Sequence, residues 1–133
     1  MRFQYRWLAA AAFAAVLPCT VAPLAAQNTG ELDTTPPTVS ITPGNSSYSS
    51  ASLQVTVTWN DNQALAPSSR SITLNGVEVG SSFSYSGSAK LATSVGTVTL
   101  SSGSNVLVAR IDDAEGNVRA PVQVTYTYPP FVP

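Results

Sequence analysis

The feature that most constrains the fold is a strand-like stretch at residues 105–111, followed by a polar turn and a second strand-like stretch. Leu107, Ala109 and Ile111 share one face of the first stretch, as in a half-buried strand. Residues 112–117 are rich in Asp, Gly and Asn, which favour chain reversal. Apolar and aromatic residues then alternate with polar ones, at Val122, Val124, Tyr126 and Tyr128. The pattern predicts a β-hairpin that closes a domain.

Composition supports an all-β chain. Charged residues make up only 10% of the 133 residues, and Ser, Thr and Val, which favour strands over helices, are abundant. Beyond about residue 27, no stretch keeps an apolar period of 3.6 residues for three turns, which predicts the absence of a long helix. The formal net charge is −1, so the composition predicts no nucleic-acid partner and no attraction to anionic lipid.

Residues 1–26 have the layout of a secretory signal peptide. Arg2 and Arg6 precede an apolar, Ala-rich run, and Ala25 and Ala26 provide small residues at the end. We expect cleavage after Ala26 and a secreted or cell-surface protein. Removal of two of the six basic residues would leave 4 basic against 7 acidic residues, a net charge of −3.

Two alternatives for this leader remain open. The first is a retained membrane anchor, although Pro18 and Pro23 break the apolar run, which is shorter than the roughly 20 residues of a spanning helix. The second is a lipoprotein acylated at Cys19, although Pro18 stands where such a motif needs a small residue. Cys19 is the only cysteine, so a chain without its leader has no disulfide and no thiolate ligand.

Proline-rich segments flank the predicted domain. Residues 27–37 have no apolar period and end in Pro36 and Pro37, which fix φ and predict a stiff linker. Residues 129–133 form a similar Pro-rich tail. We expect this chain to be the front part of a longer protein, with adjacent domains as its partners.

Short strands with frequent turn signals fill residues 38–128. Asn75-Gly76 is the strongest hairpin signal, and Gly96 favours a β-bulge. The predicted strands are residues 38–42, 53–59, 70–74, 77–79, 82–85, 92–100, 105–111 and 122–128. Seven or eight short strands in this length predict an immunoglobulin-like antiparallel β-sandwich without a disulfide, with a small closed barrel as the alternative.

Four segments resemble bacterial immunoglobulin-like modules of secreted and surface proteins. They are residues 33–39, 59–65, 72–77 and 108–117, read as DTTPPTV, WNDNQAL, ITLNGV and VARIDDAEGN. The resemblance spans nearly the whole chain after the leader and implies the sandwich fold. Such modules serve as spacers, adhesion units or accessory domains. The paired cysteines of antibody-type domains are missing here.

The residues available for catalysis are few. The chain contains no histidine, which excludes Ser-His-Asp and Cys-His arrangements and a histidine zinc site. A Ser–Lys pair would depend on Lys90, the only lysine, in a Ser/Gly-rich loop. A carboxylate pair for glycoside hydrolysis would need a substrate cleft. We therefore expect a non-catalytic domain.

Three carboxylates are candidates for a calcium site. In an immunoglobulin-like sandwich the loop after the second strand and the loop between the last two strands lie at the same end. Asp61 should therefore approach Asp112 and Asp113, and carboxylate oxygens are the ligands calcium takes. The alternative is that Asp61 and Asp112 accept hydrogen bonds from nearby backbone N–H groups and hold their turns.

The expected function is that of a structural or spacer module, and the alternative is an adhesion module that binds carbohydrate or another ligand. A carbohydrate platform needs exposed aromatic side chains. Most aromatic residues fall on inward-facing positions of the predicted strands, which favours core packing. Tyr48 and Phe131 are the ones we expect to be exposed.

Overall fold

The computed structural model describes residues 30–130 of the chain. The strands of the described residues all lie in one compact unit, which begins at Glu31. The predicted signal peptide 1–26 lies outside the described residues, as do Phe131 and the rest of the tail end. Within the described part, no helix is long and apolar enough to cross a membrane.

Residues 30–130 form nine strands and one short 3-10 helix, Gly80–Ser82. In chain order the strands are β1 (Thr38–Thr42), β2 (Ser46–Ser47), β3 (Ser52–Asn60), β4 (Leu65–Leu74), β5 (Val77–Glu78), β6 (Phe83–Gly87), β7 (Leu91–Thr99), β8 (Gly103–Asp113) and β9 (Val122–Tyr128). The prediction of an all-β chain without a long helix is confirmed for this part of the chain.

The strands form two separate sheets, ordered β1-β3-β7-β6 and β2-β9-β8-β4-β5. Neighbouring strands are antiparallel, except that β2 runs parallel to β9. The predicted closing hairpin is β8 with β9, and its register pairs Leu107 with Val124. Because both sheets have free edges, the closed barrel is wrong.

One apolar core includes residues of both sheets. The alternation predicted for β8 is confirmed, since Leu107, Ala109 and Ile111 are all fully buried. The rest of the buried apolar set is Val39, Ile41, Val55, Val57, Trp59, Leu65, Ile72, Phe83, Ala92, Val98, Leu100, Val124 and Tyr126. The alternation of apolar and polar residues also predicts burial of Leu53, in the strand 53–59, and of Val122, in the strand 122–128, but both are half-buried and pack against this set. The indole N–H of Trp59 donates to Ser94 Oγ at 2.9 Å, so its one polar atom is satisfied inside the core.

The Asn75-Gly76 hairpin is confirmed. Asn75 and Gly76 both have positive φ, at 50° and 81°, as the tight turn between two twisted strands requires. The Asn75 side chain also reaches the neighbouring strand. Its amide donates to Asn105 Oδ1 at 3.1 Å, and its oxygen accepts from the N–H of Val106 at 2.8 Å.

Three details differ from the prediction. The strand predicted over residues 70–74, after a loop expected to run through Pro67, begins earlier, because β4 starts at Leu65. An irregularity between Ala66 and Ser71 interrupts its pairing with β8. The short strand β2 was not predicted. Gly96 is not a bulge, because it pairs regularly with Phe83 and with Val55. A Cβ at this position would lie 2.7 Å from Phe83 Cγ, so glycine is needed here for close packing.

Candidate functional site

Three segments meet at the end of the sandwich where β1 begins. Thr38, the first residue of β1, pairs with Asn60, the last residue of β3. Leu65, the first residue of β4, pairs with Asp113, the last residue of β8. The segment before β1, the turn after β3 and the turn after β8 therefore lie together, as predicted for Asp61 and Asp113.

Asp61 holds the turn that follows β3. Its Oδ2 accepts hydrogen bonds from the N–H groups of Gln63 at 2.8 Å and Ala64 at 2.7 Å. The backbone N–H of Asp61 donates to the carbonyl of Lys90 at 2.8 Å. These bonds confirm the turn-holding role expected for Asp61. Its other oxygen, Oδ1, is buried and has no hydrogen-bond partner among the described residues.

Asp113 is held by the turn after β8. Its Oδ1 accepts from the backbone N–H of Asn117 at 2.7 Å, and its Oδ2 accepts from the side-chain amide of Asn117 at 2.6 Å. Burial alone raises the pKa of Asp113, but these hydrogen bonds outweigh it and hold the pKa below its usual value. The charged form of this buried carboxylate is therefore the favoured one.

The third carboxylate is Asp33, which is not among the site residues predicted from the sequence. It is only 7% exposed. Its Oδ1 accepts from the N–H of Thr35 at 2.9 Å and from the amide of Asn62 at 3.0 Å, while its Oδ2 is buried without a hydrogen-bond partner among the described residues. The signal in the sequence that could have identified Asp33 is its position shortly before Pro36 and Pro37. These prolines restrict the backbone conformation of the segment that contains Asp33.

Asp112 lies apart from the other carboxylates. Both Asp112 and Asp113 belong to β8, and successive side chains of a strand point to opposite faces. Asp112 is half-buried and lies 3.7 Å from Arg110 Nη2. Its backbone N–H donates to Ser69 Oγ at 2.8 Å. The structure therefore brings two of the three predicted residues together, and Asp33 completes the group in place of Asp112.

Asp33, Asp61 and Asp113 each offer a carboxylate oxygen, and these oxygens lie within 4.8 Å of one another. All three residues are buried. Two shallow clefts adjoin the group. One of about 180 Å³ is lined in part by Glu31, Asp33 and Asn62, and one of about 240 Å³ is lined in part by Asn60, Asp61 and Asn62. Both are smaller than the pockets that usually bind small molecules, whereas a carboxylate group of this kind suits a cation.

The aromatic residues mostly serve the core. Trp59, Phe83 and Tyr126 are buried. Tyr48, expected to be exposed, is half-buried because its ring packs edge-on against Tyr126, with ring centroids 5.8 Å apart. Tyr48 therefore does not offer the open ring face that a carbohydrate platform needs.

No protein-family model matches the chain, and the search of curated proteins also finds no match.

Proposed function

We propose that this chain carries an immunoglobulin-like β-sandwich that acts as a non-catalytic structural spacer in a secreted or cell-surface protein. The strand order supports this type of sandwich. Labelled A to G along the chain, an immunoglobulin sandwich places strands A, B, E and D in one sheet and C, F and G in the other. The sheets β1-β3-β7-β6 and β2-β9-β8-β4-β5 have the same arrangement, with β2 and β5 as short additions.

The observation that carries the spacer function is the path of the chain through the sandwich. The chain enters beside the C-terminal end of β8, where the Asn117 side chain donates to the carbonyl of Asp33 at 2.7 Å. It leaves beside the opposite end of β8, where Tyr128 pairs with Gly103. The two ends of β8, Gly103 and Asp113, are ten residues apart in sequence. At the rise of an extended strand this corresponds to about 33 Å.

This path suits a module placed in series with others. The two termini of a domain often lie close together. A domain of that kind adds little to the distance between the domains before and after it. Here the two connections lie at opposite ends, so each module adds its length to the distance between its neighbours. Adjacent domains are accordingly the proposed partners, and export through the predicted signal peptide would place the module outside the cell.

Small-angle X-ray scattering tests this function. Chains that carry one and two copies of residues 27–133 are compared by their maximum dimension. If the domain is a spacer, the second copy should increase the maximum dimension by about 30 Å or more, which is the length of one sandwich along its strands. A two-copy chain that is scarcely longer than one copy, with the copies folded side by side, would contradict the proposal.

The same single-copy chain is also applied to a panel of immobilised glycans and to peptidoglycan. A spacer predicts no saturable binding. Saturable binding that is abolished by substitution of exposed residues would contradict a purely structural role and favour the adhesion alternative.

A further inference from the structure

We propose that Asp33, Asp61 and Asp113 bind one Ca²⁺ ion at the end of the sandwich where the chain enters. The three residues come from three segments that are remote in sequence: the segment before β1, the turn after β3 and the end of β8. Their carboxylate oxygens lie within 4.8 Å of one another. The calcium site depends only on this geometry. It can be present whether or not the domain acts as a spacer.

Two oxygens in this group lack any hydrogen-bond partner among the described residues. They are Oδ2 of Asp33 and Oδ1 of Asp61, both buried, on residues that are 7% and 6% exposed. Buried polar atoms are nearly always paired, and an unpaired one calls for an explanation, such as a bound ion or water. In Asp33 and in Asp61 one oxygen is fixed by N–H donors and the other is left available, so these two carboxylates are oriented as ligands before any ion binds.

No basic side chain of the described residues neutralises the group. The ion pair present in that part of the chain joins Arg110 to Asp112, which is not a member of the group. Carboxylates packed this closely in a buried site repel one another. A divalent cation removes that repulsion and satisfies the two unpaired oxygens at the same time.

The donor set and its spacing favour calcium. All the available ligand atoms are oxygens, which hard cations prefer. Calcium–oxygen distances of 2.3–2.6 Å allow two ligand oxygens to lie up to about 5 Å apart across the ion, which accommodates the observed spread of 4.8 Å. Calcium takes six to eight ligands, and the clefts beside Asp33 and Asp61 give water access to the remaining positions.

Thermal unfolding of the full chain tests this site. The protein is treated with a chelator, returned to metal-free buffer, and melted with increasing CaCl₂. We expect the melting temperature to rise by roughly ten degrees once calcium exceeds its dissociation constant a hundredfold. A chelator should reverse the rise, and MgCl₂ at the same concentration should produce a clearly smaller one. An unchanged melting temperature, or an equal response to both ions, would overturn the proposal.

Substitutions locate the site. Asp33→Asn is the most informative, because Asp33 lies outside the strands and asparagine keeps the size of the side chain. We expect it to abolish most of the calcium-dependent rise, whereas the matched control Asp112→Asn should retain it. A rise lost in Asp112→Asn and kept in Asp33→Asn would contradict the assignment. Equilibrium dialysis with ⁴⁵Ca on the unsubstituted chain and on Asp33→Asn measures the ion directly, and equal binding by both would overturn the site.

Discussion

The side-chain amide of Asn117 donates a hydrogen bond to the backbone carbonyl of Asp33 at 2.7 Å, across 84 positions of sequence. The same amide donates to Asp113 Oδ2 at 2.6 Å. One side chain therefore ties the segment before β1 to the turn after β8. Pro37, between Asp33 and β1, is fully buried. The segment predicted as a linker thus contacts the sandwich from Asp33 onward.

Asn117→Ala tests this link. It removes two hydrogen bonds and leaves a carbonyl and a buried carboxylate oxygen without a partner, so we expect a loss of roughly 2 kcal/mol in the free energy of unfolding. The N–H of Thr35 should also exchange faster with deuterium. Asn62→Ala is the control, because Asn62 is exposed and its amide donates a single side-chain bond, to Asp33. Equal losses in urea denaturation of the two variants would show that Asn117 has no special role.

The register of β8 is tested with two neighbouring positions. Leu107 is fully buried between the sheets, whereas Val108 is half-buried on the opposite face. Leu107→Ala should reduce the free energy of unfolding by about 2–5 kcal/mol because it leaves a cavity in the core. Val108→Ala should cost much less. If urea denaturation gives the reverse order, the inward face of β8 has been assigned incorrectly.

Gly96 is predicted to tolerate no side chain. An added Cβ would lie 2.7 Å from Phe83 Cγ and 2.7 Å from the carbonyl oxygen of Ser82, so the Phe83 ring and the backbone at Ser82 must shift to make room. Gly96→Ala should destabilise the domain by about 1–3 kcal/mol, as overpacking does in other cores. Gly44→Ala is the matched control, since an added Cβ there meets no atom within 4 Å. Equal melting temperatures for these variants would contradict the close packing of Gly96 against Phe83.

Deprotonation of Tyr126 is expected to destabilise the domain in alkaline solution. Burial, with a smaller contribution from Tyr48, raises the pKa of Tyr126 from 10.0 to about 12. The fold favours the neutral phenol, whose hydroxyl donates to the carbonyl of Pro43 at 2.7 Å. Its stabilising contribution is complete below pH 10 and is lost as the pH rises toward 12. Stability measured against pH should decline over this range, and Tyr126→Phe should flatten the decline. An equally steep decline in Tyr126→Phe would exclude Tyr126 as its cause.

Local patterns in the sequence were sufficient for most of the strands. The two-residue period of β3 and β8 predicted which side chains face the core, because a shift by one residue would expose the whole apolar set. Asn75-Gly76 predicted its hairpin because few residue pairs accept positive φ at both positions. The start of β4 was missed because Pro67 indicates a loop, yet proline is also accepted at irregular positions of a strand.

The candidate site was only partly predictable, for two physical reasons. Asp112 and Asp113 are neighbouring residues of the same type, so the sequence does not show which of them faces Asp61. The structure distinguishes them because β8 continues through both residues and turns their side chains to opposite faces. Asp33 lies in a segment without periodicity, and its position depends on contacts with Asn62 and Asn117. Such long-range contacts leave no local pattern in a sequence.

The spacer function requires the chain to enter and leave the sandwich at opposite ends. In a background of Cys19→Ser, which removes the only cysteine, spin labels are attached to the variant Thr34→Cys/Thr127→Cys. Both positions are exposed, and Thr127 pairs with Ser104 near the far end of β8. The control Thr34→Cys/Glu115→Cys places both labels at the end where the chain enters.

Electron paramagnetic resonance then measures the two distances. We expect a Thr34–Thr127 distance centred near 30 Å, the length of nine strand residues, and a much shorter distance in the control. A Thr34–Thr127 distance as short as that of the control would place both connections at the same end and contradict the spacer.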